Sequence, residues 1–247
     1  MEEIYTIWLR ETMHFVRNKS RLVGTMGMPL FFLIFIGTGL SSAFALEGGV
    51  SYIEFMAPGI LGMIVLFGSV FSGLSVVIDK QFGFMKEILV APIPRISIVI
   101  GKSLGGATNA LLQAGMLLTF IYALGIMQFS IESVLLAVPM LFLISVSFVN
   151  VGVLFASRLD DPHGFQIIMN FFIMPLFFLS GAFFPLDNIP EWLRALAYLD
   201  PLTYGVDGLR AIFIGSSFFP LWMDYAVLAG FATLTFFIGA YAFSKMQ

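Results

Sequence analysis

Six stretches of this sequence contain no Asp, Glu, Lys or Arg, and each is 20 to 29 residues long: 22–46, 55–78, 103–131, 133–157, 162–186 and 225–244. A helix rises 1.5 Å per residue, so about 20 apolar residues cross a hydrocarbon core roughly 30 Å thick. The spacing predicts six membrane-spanning helices. A seventh charge-free stretch, 211–223, is too short to cross and carries Gly215 and Pro220.

Composition points the same way. The chain is 59% hydrophobic and 11% charged, where soluble chains hold roughly 45–50% apolar and about 25% charged residues. That excludes an ordinary soluble enzyme and a disordered chain. With 12 Lys+Arg against 15 Asp+Glu, the net charge of −3 leaves no basic face to neutralise phosphates, so no nucleic-acid partner is expected. The absence of cysteine removes disulfides, iron–sulfur clusters and thiolate metal sites. The expected fold class is all-α, a polytopic membrane protein whose residues 1–247 form a single transmembrane domain.

The connections orient the chain. With the N-terminus inside, the inner segments hold Arg10, Arg17, Lys19, Arg21, Lys80, Lys86, Arg95, Lys102, Arg158 and Lys245, and the outer ones only Arg194 and Arg210. Basic residues concentrate on the cytoplasmic side of membrane proteins, so both termini are expected in the cytoplasm. Ala43-Phe44-Ala45 has the small-residue pattern of a signal-peptide cleavage site. The apolar run before it exceeds a signal peptide's 7–15 residues, however, and Glu2, Glu3 and Glu11 spoil a basic leader, so the first span is expected to stay.

Residues 1–21 form a different element. On a helical projection Ile4, Tyr5, Trp8, Leu9, Thr12, Phe15 and Val16 share one arc, and Thr6, Arg10, His14, Arg17 and Asn18 face the other way, with Ile7 and Glu11 as exceptions. An apolar stripe with Trp and Phe opposite basic residues suits a helix lying in the membrane interface; packing on the chain's own loops is the alternative. The 79–102 connection is longer than a turn requires. Lys80, Lys86, Glu87 and Arg95 alternate with Phe82, Phe84, Ile88 and Leu89 until Pro92 and Pro94. It reads either as a solvated loop dipping apolar residues into the bilayer or as a docking element for a soluble partner.

No catalytic constellation is present. Gly101-Lys102-Ser103 has the tail of a phosphate-binding loop, but Ile96 stands where the pattern needs its first glycine. Lys102 reads instead as an anchor at the inner interface, and no ATP site is expected. His14 and His163 have no companions at metal-ligand spacing, so no metal is expected, and Asp160-Asp161-Pro162 is a turn signal. Inside the predicted spans the polar residues are neutral amides: Asn109 with Gln113, Asn150, and Gln166 with Asn170. They either tie helices together in lipid or line a translocation path. Ser69 with Gly73, and Gly101 with Gly105, have the small-residue spacing that lets helices approach closely. Ionisable residues in the membrane mark ion-coupled transport. Their absence from the charge-free stretches implies that energy for any uphill movement enters from outside the membrane.

The outer segment 187–224 is punctuated by Pro190, Pro201 and Pro220, with Pro185 just ahead of it. Between Pro190 and Pro201 lies a short amphipathic helix carrying Trp192 and Tyr198, and 202–214 mixes apolar residues with Tyr204, Asp207 and Arg210. Both pieces read as a segment re-entering the membrane, tolerated where it packs on protein; an ordered external cap without transport duty is the alternative.

Three stretches carry a resemblance. They are Gly83-Phe84-Met85-Lys86-Glu87-Ile88-Leu89-Val90-Ala91-Pro92 with Arg95 and Gly101-Lys102; Pro175-Leu176-Phe177-Phe178-Leu179-Ser180-Gly181-Ala182-Phe183-Phe184-Pro185; and Ile189-Pro190 with Trp192 leading to Asp200-Pro201-Leu202-Thr203-Tyr204. In these the chain resembles the permease subunits of type 2 ABC exporters, nearest the daunorubicin-type drug-resistance branch, with Phe84 where many relatives have a small polar residue. The resemblance implies a half-transporter in the inner membrane of a prokaryote, surrounded by lipid and paired with a second permease copy. A separate cytoplasmic ABC ATPase, which binds the ATP and Mg, would dock on the loop after the second span, at or beside Gly83, Phe84, Lys86, Glu87, Pro92 and Arg95. The implied cargo is an amphipathic drug-like or lipid-like molecule. A polysaccharide or glycolipid exporter and a non-transporting membrane scaffold are the alternatives.

Overall fold

The computed structural model describes residues 1–41, 50–85 and 93–245. The Ala43-Phe44-Ala45 pattern, the end of the first predicted span, and Lys86, Glu87 and Pro92 lie outside the described residues. Of the described residues 84% are helical, and none is in a strand.

Helix α1 spans Glu2–Arg17. The first membrane-crossing helix is assembled from α2 (Lys19–Phe31), a π-helical turn at Phe32–Ile36 and α3 (Gly37–Ser41). Pro29 cannot donate to the helix ladder, and the wide turn follows directly after it. The second crossing is α4 (Tyr52–Ser72) continued past Gly73 by α5 (Leu74–Gln81). Then come α6 (Arg95–Ala123), α7 (Ile131–Arg158) and α8 (Pro162–Leu179). Two short helices, α9 (Glu191–Ala197) and α10 (Pro201–Ile214), precede the last crossing, α11 (Leu221–Ser244).

Six helices are therefore long and apolar enough to cross a membrane, as expected, but their ends differ from the charge-free boundaries. The second, third, fourth and sixth reach past them to include Glu54, Asp79, Lys80, Arg95, Lys102, Glu132, Arg158 and Asp224. Local chemistry sets these ends. Ser51 and Glu54 form a reciprocal capping box at the start of α4, Ser130 accepts from Ser133 N at the start of α7, and Asp161 accepts from His163 N and Gly164 N ahead of α8. The third crossing stops at Ala123 rather than 131, just ahead of Gly125, whose φ is +67°. The fifth stops at Leu179 rather than 186, ahead of a turn through Gly181 at φ +74°.

The crossings converge at the end of the bundle that carries both termini. Lys80 Nζ donates to the carbonyls of Ala156, Ser157 and Leu159 at the end of α7 and pairs with Asp160 at 2.6 Å. Arg95, the first residue of α6, donates to the Ser244 carbonyl at the end of α11. Helix α4 is the centre, packed by α6, α7, α8 and α10. Its crossing with α7 has almost no side chain in it: a Cβ at Gly73 would lie 2.5 Å from the Gly152 carbonyl carbon, and one at Gly152 would strike the Val70 carbonyl oxygen.

Within 187–224 it is α10 that enters the bundle. Residues 201–210 are all buried, packed between α4, α7 and α11. Gly205 sits against Ile144 near the middle of α7, and Gly62 of α4 makes room for Val206. The chain thus turns into the bundle from the end opposite the termini, reaches about half the length of α7, and returns along α10 to Gly215.

Candidate functional site

Helix α1 is fastened to the first half of α6. A Cβ at Gly101 would lie 2.8 Å from Ile7 Cβ, and one at Gly105 would lie 2.6 Å from Glu11 Cβ. The Gly101/Gly105 spacing is the groove that admits α1. Trp8 Nε1 donates to Thr108 Oγ1 at 2.9 Å, and Phe15 is buried. Ile7 and Glu11, the exceptions on the helical projection, are the residues that face α6. Tyr5, Leu9, Met13 and Val16 remain exposed as an apolar strip, which suits a helix resting on lipid while its other face rests on protein.

A charge cluster closes this junction. Lys102 Nζ lies 2.8 Å from Glu11 Oε1, 3.0 Å from Asp79 Oδ2 and 3.2 Å from Ser75 Oγ. Arg10 pairs with the other Asp79 oxygen at 2.6 Å. Burial works against the Arg10 cation, but the Asp79 hydrogen bond and charge outweigh it and hold the guanidinium above its ordinary pKa. The interface-anchor reading of Lys102 is corrected: its side chain is 3% exposed, because the two glycines flanking it bring α1 down over it. The cluster ties α1, α5 and α6 together at both roots of the loop between α5 and α6.

Of the loop residues themselves, Gly83 takes a left-handed turn at φ +80° and Phe84 is exposed. Met85 is buried. Lys86, Glu87 and Pro92 lie outside the described residues. Arg95 caps α11 as described above.

The amides divide. Asn150 accepts from Ser103 Oγ at 2.7 Å and so joins α7 to α6. Asn109 Nδ2 donates to the Glu11 carbonyl at 3.4 Å and Gln113 Nε2 to the Asn109 carbonyl at 3.3 Å. Gln166 and Asn170 lie exposed on α8 beside Ile167 and Phe171. Gln113 is the polar tip of an apolar cavity of about 250 Å³ between α2, α4, α6 and α8, whose walls include Met28, Pro29, Met63, Phe67 and Met174.

At the opposite end, Pro190 precedes α9, Trp192 is exposed, and the Tyr198 carbonyl accepts from the Tyr204 hydroxyl at 3.0 Å. Pro201 opens α10 behind its cap, Asp200. Sequence reasoning missed the polar core here. Asp200, Asp207, Arg210 and Asp224 are all buried. Burial raises the Asp200 carboxyl to about 8, and burial pulls the Arg210 guanidinium down to about 10. The signal available was an Asp and an Arg three apart in an otherwise apolar helix, a spacing that puts both on one face.

Among the described residues no group of three or more His, Cys, Asp or Glu is placed to hold a metal.

Comparison with known proteins agrees with this architecture. The family model described as ABC-2 type transporter matches residues 2–214. The chain is 30% identical over 222 residues to ycf38 of Cyanophora paradoxa, covering 88% of this chain and 76% of that one. It is 30% identical over 239 residues to the inner membrane transport permease YadH of Escherichia coli strain K12, covering 94% and 91%. It is 27% identical over 221 residues to nodulation protein J of Rhizobium leguminosarum bv. trifolii, covering 89% and 84%. The six crossings and these matches together make the chain a member of the ABC-2 type transporter family, a membrane permease of the kind that generally works with an ATPase subunit and is not itself an enzyme.

Proposed function

We propose that this permease is half of an ATP-driven exporter for an uncharged amphipathic molecule, drug-like or lipid-like, as in the daunorubicin-type branch. Its ATPase subunit docks on the loop between α5 and α6, both termini face the cytoplasm, and ten basic residues against two support that orientation. The observation that carries the reading is the cluster of Arg10, Glu11, Asp79 and Lys102. A docking loop passes on motion only if its roots are rigid. Here each root is bonded to the other and to α1 by buried charged groups.

The cavity beside Gln113 supports the cargo chemistry. Its walls are apolar apart from the Gln113 amide and Thr25, with no charge, so an ionic cargo would lose its hydration without compensation. At about 250 Å³ it falls below the roughly 300–1,000 Å³ of drug-sized sites. A second copy facing it across the thinly covered α2 and α8 would complete it, which supports a homodimer. Phe31, Phe35, Ile167 and Phe171 are exposed on those two crossings.

The test is co-purification with an ABC ATPase subunit co-expressed with this chain, followed by cargo-stimulated ATP hydrolysis in proteoliposomes. Lys86→Glu with Glu87→Lys is expected to weaken ATPase capture and abolish stimulation. Unchanged capture and stimulation would remove the docking assignment. Arg95 is a poorer probe because it also caps α11.

A further inference from the structure

A second cavity, about 300 Å³, opens at the end of the bundle opposite the termini. Its wall is formed by Phe55, Leu186, Asp187, Asp207, Arg210 and Phe218, with Ser216 and Ser217 at the rim. Its lining shares no residue with the cavity beside Gln113.

Arg210 is the unusual group. It is 5% exposed, its guanidinium carbon stands 3.9 Å above the centre of the Phe55 ring, and one Nη donates to the Gly181 carbonyl at 2.9 Å. Its Nε has no hydrogen-bond partner, and it makes no ion pair among the described residues. The nearby carboxylate Asp207 is already engaged. Oδ1 and Oδ2 each accept from Phe218 N at 2.9 Å, and Oδ2 also accepts from Phe219 N at 2.8 Å. A buried cation with an unfilled donor is costly unless something else supplies the acceptor. Guanidinium geometry favours phosphate or carboxylate oxygens. On the same wall Asp187 is exposed on the short turn Leu186–Asn188, so the cavity offers a cation at its floor and an anion at its mouth.

We propose that this cavity binds a zwitterionic phosphoethanolamine group, with the phosphate on Arg210 and the ammonium against Asp187. The phosphate pairs with the part of the Arg210 guanidinium that lines the cavity. The Ser216 and Ser217 hydroxyls are available to its remaining oxygens, and the Phe55, Leu186 and Phe218 side chains accept the adjoining methylenes. The assignment does not depend on what the permease carries. It makes the outer end of α10 a sensor of headgroup chemistry in the facing leaflet, since Arg210 lies on the same buried helix that reaches the middle of the bundle.

The test is calorimetric titration of the detergent-purified chain with dihexanoyl phosphatidylethanolamine, dihexanoyl phosphatidylglycerol and free glycerophosphoethanolamine. The ethanolamine lipid is expected to bind more tightly than the glycerol lipid, which has the phosphate but no ammonium. Arg210→Gln is expected to weaken both lipids by roughly tenfold or more, the scale of a lost charge-assisted hydrogen bond. Because Arg210→Gln can also disturb α10, Asp187→Asn on the exposed turn is the decisive variant. It is expected to weaken phosphatidylethanolamine and leave phosphatidylglycerol unchanged. Binding of glycerophosphoethanolamine alongside the lipid supports a site for the free group, and binding of the lipid alone supports a leaflet source. Equal affinity for both lipids in the parent chain, or an Asp187→Asn variant that binds phosphatidylethanolamine as before, overturns the proposal.

Discussion

Lys102 and Asp79 stand 3.0 Å apart in the protein interior, one from each helix that enters the loop between α5 and α6. Glu11 completes the pair from a third element, 2.8 Å from the same ammonium. Removing the cation alone leaves Glu11 unpaired and Asp79 with only the half-exposed Arg10, so Lys102→Met is expected to destabilise by about 3–5 kcal/mol, the range for breaking a buried pair. The triple replacement Glu11→Gln, Asp79→Asn, Lys102→Met removes the three buried charges together, leaves only the half-exposed Arg10, and is expected to recover most of that loss. Arg10 has a side chain 47% exposed, so Arg10→Ala is expected to cost about 1 kcal/mol or less. Thermal unfolding of the purified variants in one detergent gives the order; a triple variant no better than Lys102→Met contradicts it.

The glycine groove makes a separate prediction about α1. Gly105→Leu places a branched side chain where a single Cβ already comes within 2.6 Å of Glu11 Cβ. It should lift α1 from α6, and trypsin should then cleave after Arg10 and Arg17 several times faster at unchanged protease concentration. Gly115, on the same helix, has nothing within 4 Å of an added Cβ, so Gly115→Leu should leave the digestion rate alone. Equal digestion of the two variants would mean that α1 is held by something other than this groove.

Where two backbones touch, the coupling between substitutions is itself predictable. Gly73→Ala and Gly152→Ala each push apart the same crossing of the second and fourth spans, at a cost of about 1–3 kcal/mol apiece, the range for overpacking. One separation relieves both clashes, so the double variant should lose clearly less than the sum. A double-mutant cycle on melting temperatures reads this directly, and strict additivity would show that the two glycines do not share one contact.

The crossings were legible in the sequence because their cause is local. A run free of charge either spans hydrocarbon or does not, and its length decides. The Pro190 and Pro201 punctuation of the outer segment was legible for the same reason: fixed φ and a missing donor place helix starts whatever surrounds them. The ion cluster was not legible. Lys102 meets partners 23 and 91 residues away, and only the folding of α1 onto the two glycines converts an interface lysine into a buried one. Asp224 shows the same limit. It closes the outer segment in the sequence, yet it opens α11 fully buried because Gly208 and the rest of α10 pack against it.

Asp200 carries the pH dependence at the start of α10. It caps α10 by accepting from Leu202 N at 2.9 Å, and the residue is 2% exposed. Burial therefore favours the protonated acid and lifts its pKa to about 8. In the unfolded chain the same carboxyl ionises near its ordinary value of about 3.9. Between these two pH values the unfolded state sheds a proton that the folded state keeps. Stability from this residue is greatest at low pH, falls as pH rises through the window, and levels off above about 8. Asp200→Asn keeps an oxygen for the Leu202 N–H and cannot ionise. The difference in melting temperature between parent and Asp200→Asn should therefore shift steadily against the parent from pH 5 to pH 8, with every other titrating group common to both chains. A difference that stays constant across that range would mean that Asp200 is ionised where it sits, and that the start of α10 is wetter than its packing against α4 and α7 implies.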